Sequence, residues 1–267
     1  MSQVARPTIL VIGGTDSSGG AGLAADIRTA AAHDIDARIA VTAITAQTDH
    51  KVGTVTVMPP AHVAEQIAFA LEDARVSAVK IGMLGDAATV AGVADALEEF
   101  DGPVVLDPVI ATSSGGLLLS DAGIASLIAR LLPRCALVTP NLPELDILSA
   151  RIGVKANASV EAKAQALLKA GVTAVLVKGG HGQGSDAIDL LYAANRAPVP
   201  FSAPRLDASL RGTGCMLATA IACGLAAGER LENACAMAKS HVRARLAAGR
   251  TREERAPTKV SQPPSLP

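Results

Sequence analysis

The sequence predicts an α/β fold in three layers, a mostly parallel central sheet with helices on both faces. Three observations carry this. The apolar runs at residues 8–14 (TILVIGG), 104–106 and 174–177 are unbroken, the mark of strands buried on both sides. Helical segments alternate with them, which calls for crossover connections and therefore parallel strands. Polar or glycine-rich segments then follow the strands at 13–22, 47–50, 82–85, 107–116, 139–144, 178–184 and 211–215. Ligands of such folds bind at the carboxyl ends of the strands, so these exits outline a long functional rim.

Taken in order, strand 8–14 leads to a helix at 21–32, then to a strand at 37–46 with the polar exit Gln47-Thr48-Asp49-His50. A short strand at 54–58 follows, and Pro59-Pro60 opens a helix to about residue 75, proline being tolerated at a helical start. Strand 78–81 precedes helix 86–100, and strand 104–106 precedes a glycine-rich loop and helix 121–132. Strand 136–138 leads to a short helix from Pro143, and helix 159–170 to strand 174–177. A hairpin-like pair at 188–192 and 199–202 comes next, with prolines flanking Val199 that confine the second piece to a sheet edge. The helix after residue 215 and a last one at 231–246 complete a single domain over residues 1–249. The tail 250–267 is charged and then proline-rich, a composition that predicts disorder.

Composition narrows the function. Hydrophobic residues make up 49% of the 267, enough for one large core near the size where single cores stop growing. Aromatics are only 1%, which leaves no platform for stacking single-stranded bases. A net charge of −1 gives no general attraction to nucleic acid or to an anionic membrane, and neither is expected as a partner. Cys135, Cys215, Cys223 and Cys235 form no CxxC pair, which argues for a reducing compartment and against a disulfide framework or a zinc site. The first apolar run is too short for a signal peptide, and charges or glycines interrupt the others before the roughly 20 residues of a spanning helix. A soluble, cytoplasmic protein is expected.

The stretch around which the chain is organised is Arg211-Gly212-Thr213-Gly214-Cys215, running into an Ala/Leu/Ile helix. Its glycines allow close backbone approach, and the new helix offers unpaired N–H groups and its positive dipole end to an anion. Cys215 falls in that first turn, where a thiol pKa tends to be lowered. A phosphate cradle holding an acid or base is one reading, and a tight turn before a core helix is the other.

The first loop excludes two nucleotide motifs. Gly14 and Gly19 have P-loop spacing, but Gly20-Ala21 follows instead of Lys-Ser/Thr. Gly20-Ala21-Gly22-Leu23-Ala24-Ala25 starts too far beyond its strand for a dinucleotide turn. Elsewhere, Asp26 lies one helical turn past Gly22 and is read either as a hydroxyl ligand or as a dipole partner. Gln47 offers an amide that can donate and accept to a heterocycle edge. Asp107 and Glu144 sit at neighbouring strand exits, the usual way to hold Mg²⁺ and its waters beside phosphates. Lys178, before Gly179-Gly180, suits a phosphate, whereas His181 reads as a loop residue.

These motifs together resemble one family. GGTDSSGGAGLAADI, the TAITAQ exit, VKIGML (79–84), VLDPVI (105–110), VTPNLPE (138–144), VLVKGGH (175–181) and GTGC (212–215) occur in the order seen in hydroxymethylpyrimidine/phosphomethylpyrimidine kinases. These are thiamin-biosynthetic members of the ribokinase-like superfamily. The resemblance implies a ribokinase-like fold, a homodimer, and ATP-dependent phosphorylation of 4-amino-5-hydroxymethyl-2-methylpyrimidine, in many members followed by a second phosphorylation. It implies that Gly14, Asp26, Gln47 and Met83 line the pyrimidine site and that Asp107 and Glu144 serve Mg²⁺. Asn141 and Lys178 would serve the nucleotide phosphates. Gly212, Thr213, Gly214 and Cys215 would form the anion hole, with Cys215 where sugar kinases carry an aspartate base.

The chain departs from the family pattern at two places. Arg211 stands where a histidine is common and is assigned here to nucleotide phosphate; Met216 stands where threonine is common. Both bear on the second phosphorylation more than on the first. A pyridoxal-type kinase and a non-catalytic pyrimidine sensor are the alternative readings.

Overall fold

The computed structural model describes residues 6–111, 116–180, 184–208 and 210–254. His181 and the residues after 254 lie outside them. The first half of the chain forms β1 (Thr8–Asp16), α1 (Gly22–Ala32), β2 (Asp36–Gln47), β3 (Val52–Val57), α2 (Pro60–Asp73), β4 (Val76–Ile81), α3 (Ala87–Ala96) and β5 (Val104–Leu106). Next come α4 (Asp121–Ser126), β6 (Leu137–Val138), α5 (Leu142–Arg151), α6 (Val160–Lys169) and β7 (Ala174–Val177). The hairpin β8 (Asp186–Ala193) and β9 (Val199–Pro204) precedes α7 (Thr213–Ala226) and α8 (Leu231–Glu254).

Among the described residues one sheet of nine strands has the order β3-β2-β1-β4-β5-β6-β7-β8-β9. The strands from β2 to β7 are mutually parallel. Antiparallel β3 closes one edge and the β8–β9 hairpin the other, with the proline-flanked strand outermost as its composition predicts.

Strand alternation produces the layers. Leu10 and Ile12 pack with Val79 and Ile81 against Ile67 of α2, Val90 of α3, Leu145 of α5 and Leu167 of α6. Their neighbours Ile9 and Val11 face Leu23 and Ala30 of α1 on the opposite side. Further along that side, Val105 and Leu176 meet Leu217 and Ile221 of α7 and Ala234 of α8. Each buried aliphatic side chain contributes about 1.5–3 kcal/mol. The uniform apolar run of α7 is thus explained: every residue from Met216 to Gly224 is buried. A Cβ on Gly224 would lie 2.9 Å from the Cβ of Ala234, so glycine lets α7 and α8 approach closely.

The helix expected at 121–132 breaks up. α4 ends at Ser126, a π-helical turn covers Leu127–Leu131 and a 3₁₀ turn covers Leu132–Arg134. Pro133 has no N–H to continue the α ladder, and the wide π turn followed by a tighter 3₁₀ turn accommodates this. The last helix, expected to end at residue 246, continues through Glu254. Its last residues are Arg and Glu, charged but strong helix formers.

At the end of α1, the His33 ring meets His241 of α8 with centroids 4.8 Å apart. Burial lowers the pKa of both imidazoles, and His33 Nε2 is buried without a partner. A group whose folded pKa is depressed supports the fold above its unfolded pKa, near 6.5, and loses that support as pH falls through the folded value. Stability is therefore expected to decline as pH falls below about 6.5 toward the folded values. Denaturant midpoints for wild type and His33→Phe measure it, and the decline should be shallower in the variant.

Candidate active site

The carboxyl ends of β1, β4, β5 and β7 converge beneath the start of α7. Gly212 has φ 74° and ψ 11°, a left-handed conformation that makes the turn into the helix. A Cβ there would lie 2.5 Å from the Gly20 carbonyl oxygen and 3.0 Å from Ala21 Cα, so the glycine also seats this turn against the loop after β1. The first intrahelical bond runs from Met216 N to Gly212 O at 2.9 Å. This leaves the N–H groups of Thr213, Gly214 and Cys215 as helix-terminal donors, suited to an anion.

Beneath Gly214 lies a charge pair. Lys178 Nζ donates to Asp107 Oδ1 at 2.8 Å and stands 3.7 Å from Glu144 Oε2. A Cβ on Gly214 would be 3.3 Å from that ammonium and 3.6 Å from Asp107 Oδ2. The short strands put these groups together: the Lys178 N–H donates to Pro140 O at 2.9 Å, while Asp107 follows β5 directly. Asn141 caps α5, its side chain accepting from Glu144 N while Glu144 accepts from Asn141 N, each at 2.8 Å. This reciprocal box fixes the Glu144 carboxylate at the rim. Burial raises Glu144 to about 7, opposed by Lys178 and reinforced by the nearby Asp107.

Of the residues expected around the pyrimidine, Gly14 and Met83 lie together. A Cβ on Gly14 would lie 3.1 Å from Met83 Sδ and 3.5 Å from the Ala43 carbonyl, so the glycine leaves backbone open beside the thioether. Thr42 Oγ1 donates to Met83 O at 2.5 Å. Gln47 ends β2; its N–H donates to Ser17 Oγ at 2.7 Å, and the Thr45 hydroxyl stands 3.2 Å from its Oε1.

Three expectations change. Asp26 does not line an open pocket. It is fully buried, accepts from Lys80 Nζ at 2.9 Å and from Thr219 Oγ1 at 2.7 Å, and so is spent on an internal ion pair. Cys215 does not have a lowered pKa. Burial pushes its thiol up to about 11, outweighing the opposite pull of Lys80 and of the Gly22 backbone. Arg211 reaches the loop after β1 and the β2–β3 turn instead of the Lys178 cluster, with Asp16, Ser18, Thr48 and Asp49 as its partners. Met216 is 6% exposed, so its side chain is taken up in packing.

Two important residues escape a motif reading. Lys80 is 1% exposed and sits inside an otherwise apolar strand, between the sheet and α1. Burial would discharge it, but Asp26, Cys215 and Asp107 hold its pKa above the ordinary lysine value. Asp16 organises the first loop, accepting from Ser18 N at 2.9 Å, Ser18 Oγ at 2.8 Å and Ala21 N at 2.9 Å. Burial works to raise its pKa, yet those donors and Arg211 bring it below the ordinary value. A lone charged letter within VKI, and an Asp before Ser-Ser, were the available signals.

This arrangement places helix-terminal N–H donors over a lysine–carboxylate cluster, packed on the glycine loop whose Gly14 lies against Met83. The phosphomethylpyrimidine kinase family model matches residues 16–258. The chain belongs to that family. A hydroxymethylpyrimidine/phosphomethylpyrimidine kinase of Rhizobium meliloti (strain 1021) is 40% identical over 242 residues, spanning 90% of each chain. The crystal structure of the phosphomethylpyrimidine kinase of Clostridium difficile 630 superposes with a TM-score of 0.77 at 31% identity, covering 91% of this chain and 100% of that one. The pyridoxal kinase of Staphylococcus aureus, in complex with AMP-PCP and pyridoxal, gives a TM-score of 0.78 at 28% identity, covering 90% of this chain and 87% of that one. The α/β architecture matches both structures, and the family makes the chain a phosphotransferase.

Proposed function

We propose that this protein transfers the γ-phosphoryl group of ATP to the hydroxymethyl oxygen of 4-amino-5-hydroxymethyl-2-methylpyrimidine, and then a second phosphoryl group to the monophosphate. The observation that carries this reading is the helix start at Gly212–Cys215 over Lys178 and Asp107, packed on the glycine loop whose Gly14 lies against Met83. Phosphoryl transfer asks a protein mainly to align two oxygens and to stabilise spreading negative charge. The donors of Gly212, Thr213, Gly214 and Cys215 do the second, and Lys178 and Asn141 hold the nucleotide phosphates. Gln47 reads the ring nitrogen and amino group, while Gly14 and Met83 accept the flat face of the ring.

Mg²⁺ would be held by Asp107 and Glu144. Among the described residues no group of three or more His, Cys, Asp or Glu side chains converges as a cation site. Two rim carboxylates without further protein ligands fit a cation that keeps several waters and takes phosphate oxygens. When bound, it supplies charge neutralisation of the phosphates.

Cys215 accepts the alcohol proton. With its thiol near 11, only a small thiolate fraction is present at neutral pH. The fraction grows as pH rises toward that value, so kcat should climb by about tenfold per unit between pH 7 and 9. Cys215→Ala should be slower and flat over that range. An equally steep rise in the variant would remove the proton from Cys215.

The protein is expected to act in the cytoplasm as a homodimer. Exposed Ile39, Ile44 and Phe69 on β2 and α2 support an apolar contact between copies. No helix among the described residues is long and apolar enough to cross a membrane. A competition assay with Mg²⁺-ATP, the pyrimidine alcohol and pyridoxal tests the substrate. The proposal expects the pyrimidine to be phosphorylated preferentially; preference for pyridoxal, or binding without turnover, would refute it.

A further inference from the structure

We propose that Arg211 is a positioning residue of the pyrimidine pocket, a clamp that ties the loop after β1 and the β2–β3 turn to the start of α7. The proposal rests on the function given above.

The guanidinium spans a gap between segments that are remote in sequence. Nη1 donates to Ser18 Oγ at 2.8 Å, to Thr48 O at 2.9 Å and to Asp49 Oδ1 at 3.2 Å. Nη2 donates to Asp16 Oδ2 at 3.1 Å. One set of partners continues from Gly14 and the other from Gln47, the residues assigned to the ring. The arms differ in strength. The Asp16 side chain is 4% exposed, whereas Asp49 is 69% exposed and its charge is screened by solvent. The Asp16 carboxylate already gathers the N–H groups of Ser18 and Ala21, so Arg211 fastens onto the residue that shapes the glycine loop.

Position in the chain gives the clamp its effect. Arg211 immediately precedes Gly212, the turn that seats α7 against Gly20 and Ala21. Holding both loops at that turn removes freedom that substrate binding would otherwise have to remove, and such preorganisation acts on affinity. Lysine cannot reproduce it, since an ammonium has no planar fork to engage several acceptors in fixed directions.

The test uses the full chain with Arg211→Gln, Arg211→Lys and Asp49→Asn. Arg211→Gln is expected to raise KM for the pyrimidine alcohol by about 10- to 100-fold, the range for losing hydrogen bonds to a charged group. KM for ATP and kcat should stay within about twofold of wild type. Arg211→Lys should fall close to Arg211→Gln, and Asp49→Asn close to wild type. Amide hydrogen exchange without substrate provides an independent readout. The N–H groups of Ala21, Thr48 and Lys51, bonded to Asp16, Lys51 O and Thr48 Oγ1 respectively, should exchange faster in Arg211→Gln. A raised KM for ATP with an unchanged KM for the alcohol would make Arg211 a nucleotide ligand and overturn the clamp. Unchanged exchange at those amides would overturn it as well. If wild type fails to phosphorylate the pyrimidine, the functional reading falls, and the exchange result still decides whether the loops are clamped.

Discussion

Lys80→Met should lose about 3–5 kcal/mol of folding stability, because it strands a buried carboxylate. Asp26 is 0% exposed and Lys80 1%, and their 2.9 Å contact is supported on the far oxygen by Thr219. Chemical denaturation measures the loss. The double variant Lys80→Met/Asp26→Leu should recover most of it, since an apolar pair of similar volume can replace a buried ion pair at little cost. The pH dependence follows from the sign of the shift. Without its cation, Asp26 has a folded pKa above its unfolded value near 3.9. The single variant's stability is then greatest in acid and is lost as pH rises through the folded pKa. In wild type, burial already raises the Asp26 pKa against the pull of Lys80, so the same trend is expected there but smaller. A single variant as stable as wild type at pH 7 would mean that the pair carries no structural weight.

Gly212→Ala should reduce kcat by about 10²–10³, the range for losing one donor to a developing oxyanion. The added methyl would sit 2.5 Å from the Gly20 carbonyl, in a backbone conformation at φ 74° that L-residues rarely adopt. Relief requires α7 or the loop after β1 to move, and the donors at 213–215 move with it. Gly228→Ala separates strain from site geometry. Gly228 also has a positive φ, 85°, but a Cβ there meets nothing within 4 Å. That variant should lose about 1–2 kcal/mol of stability and keep wild-type kcat. Equal kinetic loss in both would show that only general destabilisation is at work.

The sequence predicts the architecture well where strands are unbroken and apolar, because burial on both faces leaves few other ways to fold residues 8–14 or 174–177. The glycines are legible for a similar reason: Gly14, Gly212 and Gly214 each stand where backbone must approach backbone or charge. Asp107, Glu144 and Lys178 lie at strand exits, and strand order alone brings them together. What sequence reasoning misplaces are residues whose partners lie far along the chain. Asp26 looks like a rim carboxylate until Lys80 and Thr219 are seen to close over it. Arg211 follows the phosphate logic of its neighbours, yet Asp16 at the end of β1 and Asp49 in the β2–β3 turn capture it. For Cys215, helix position suggests a low pKa, but desolvation acts in the opposite direction and is larger.

The most direct test of the central claim is ³¹P NMR of purified protein with Mg²⁺-ATP and 4-amino-5-hydroxymethyl-2-methylpyrimidine, run beside Gly212→Ala. The account predicts that wild type consumes ATP as a pyrimidine monophosphate resonance grows, followed by the pyrophosphate, while folded Gly212→Ala accumulates product far more slowly. Folded wild-type protein that leaves the alcohol unphosphorylated, or Gly212→Ala matching its rate, would contradict it.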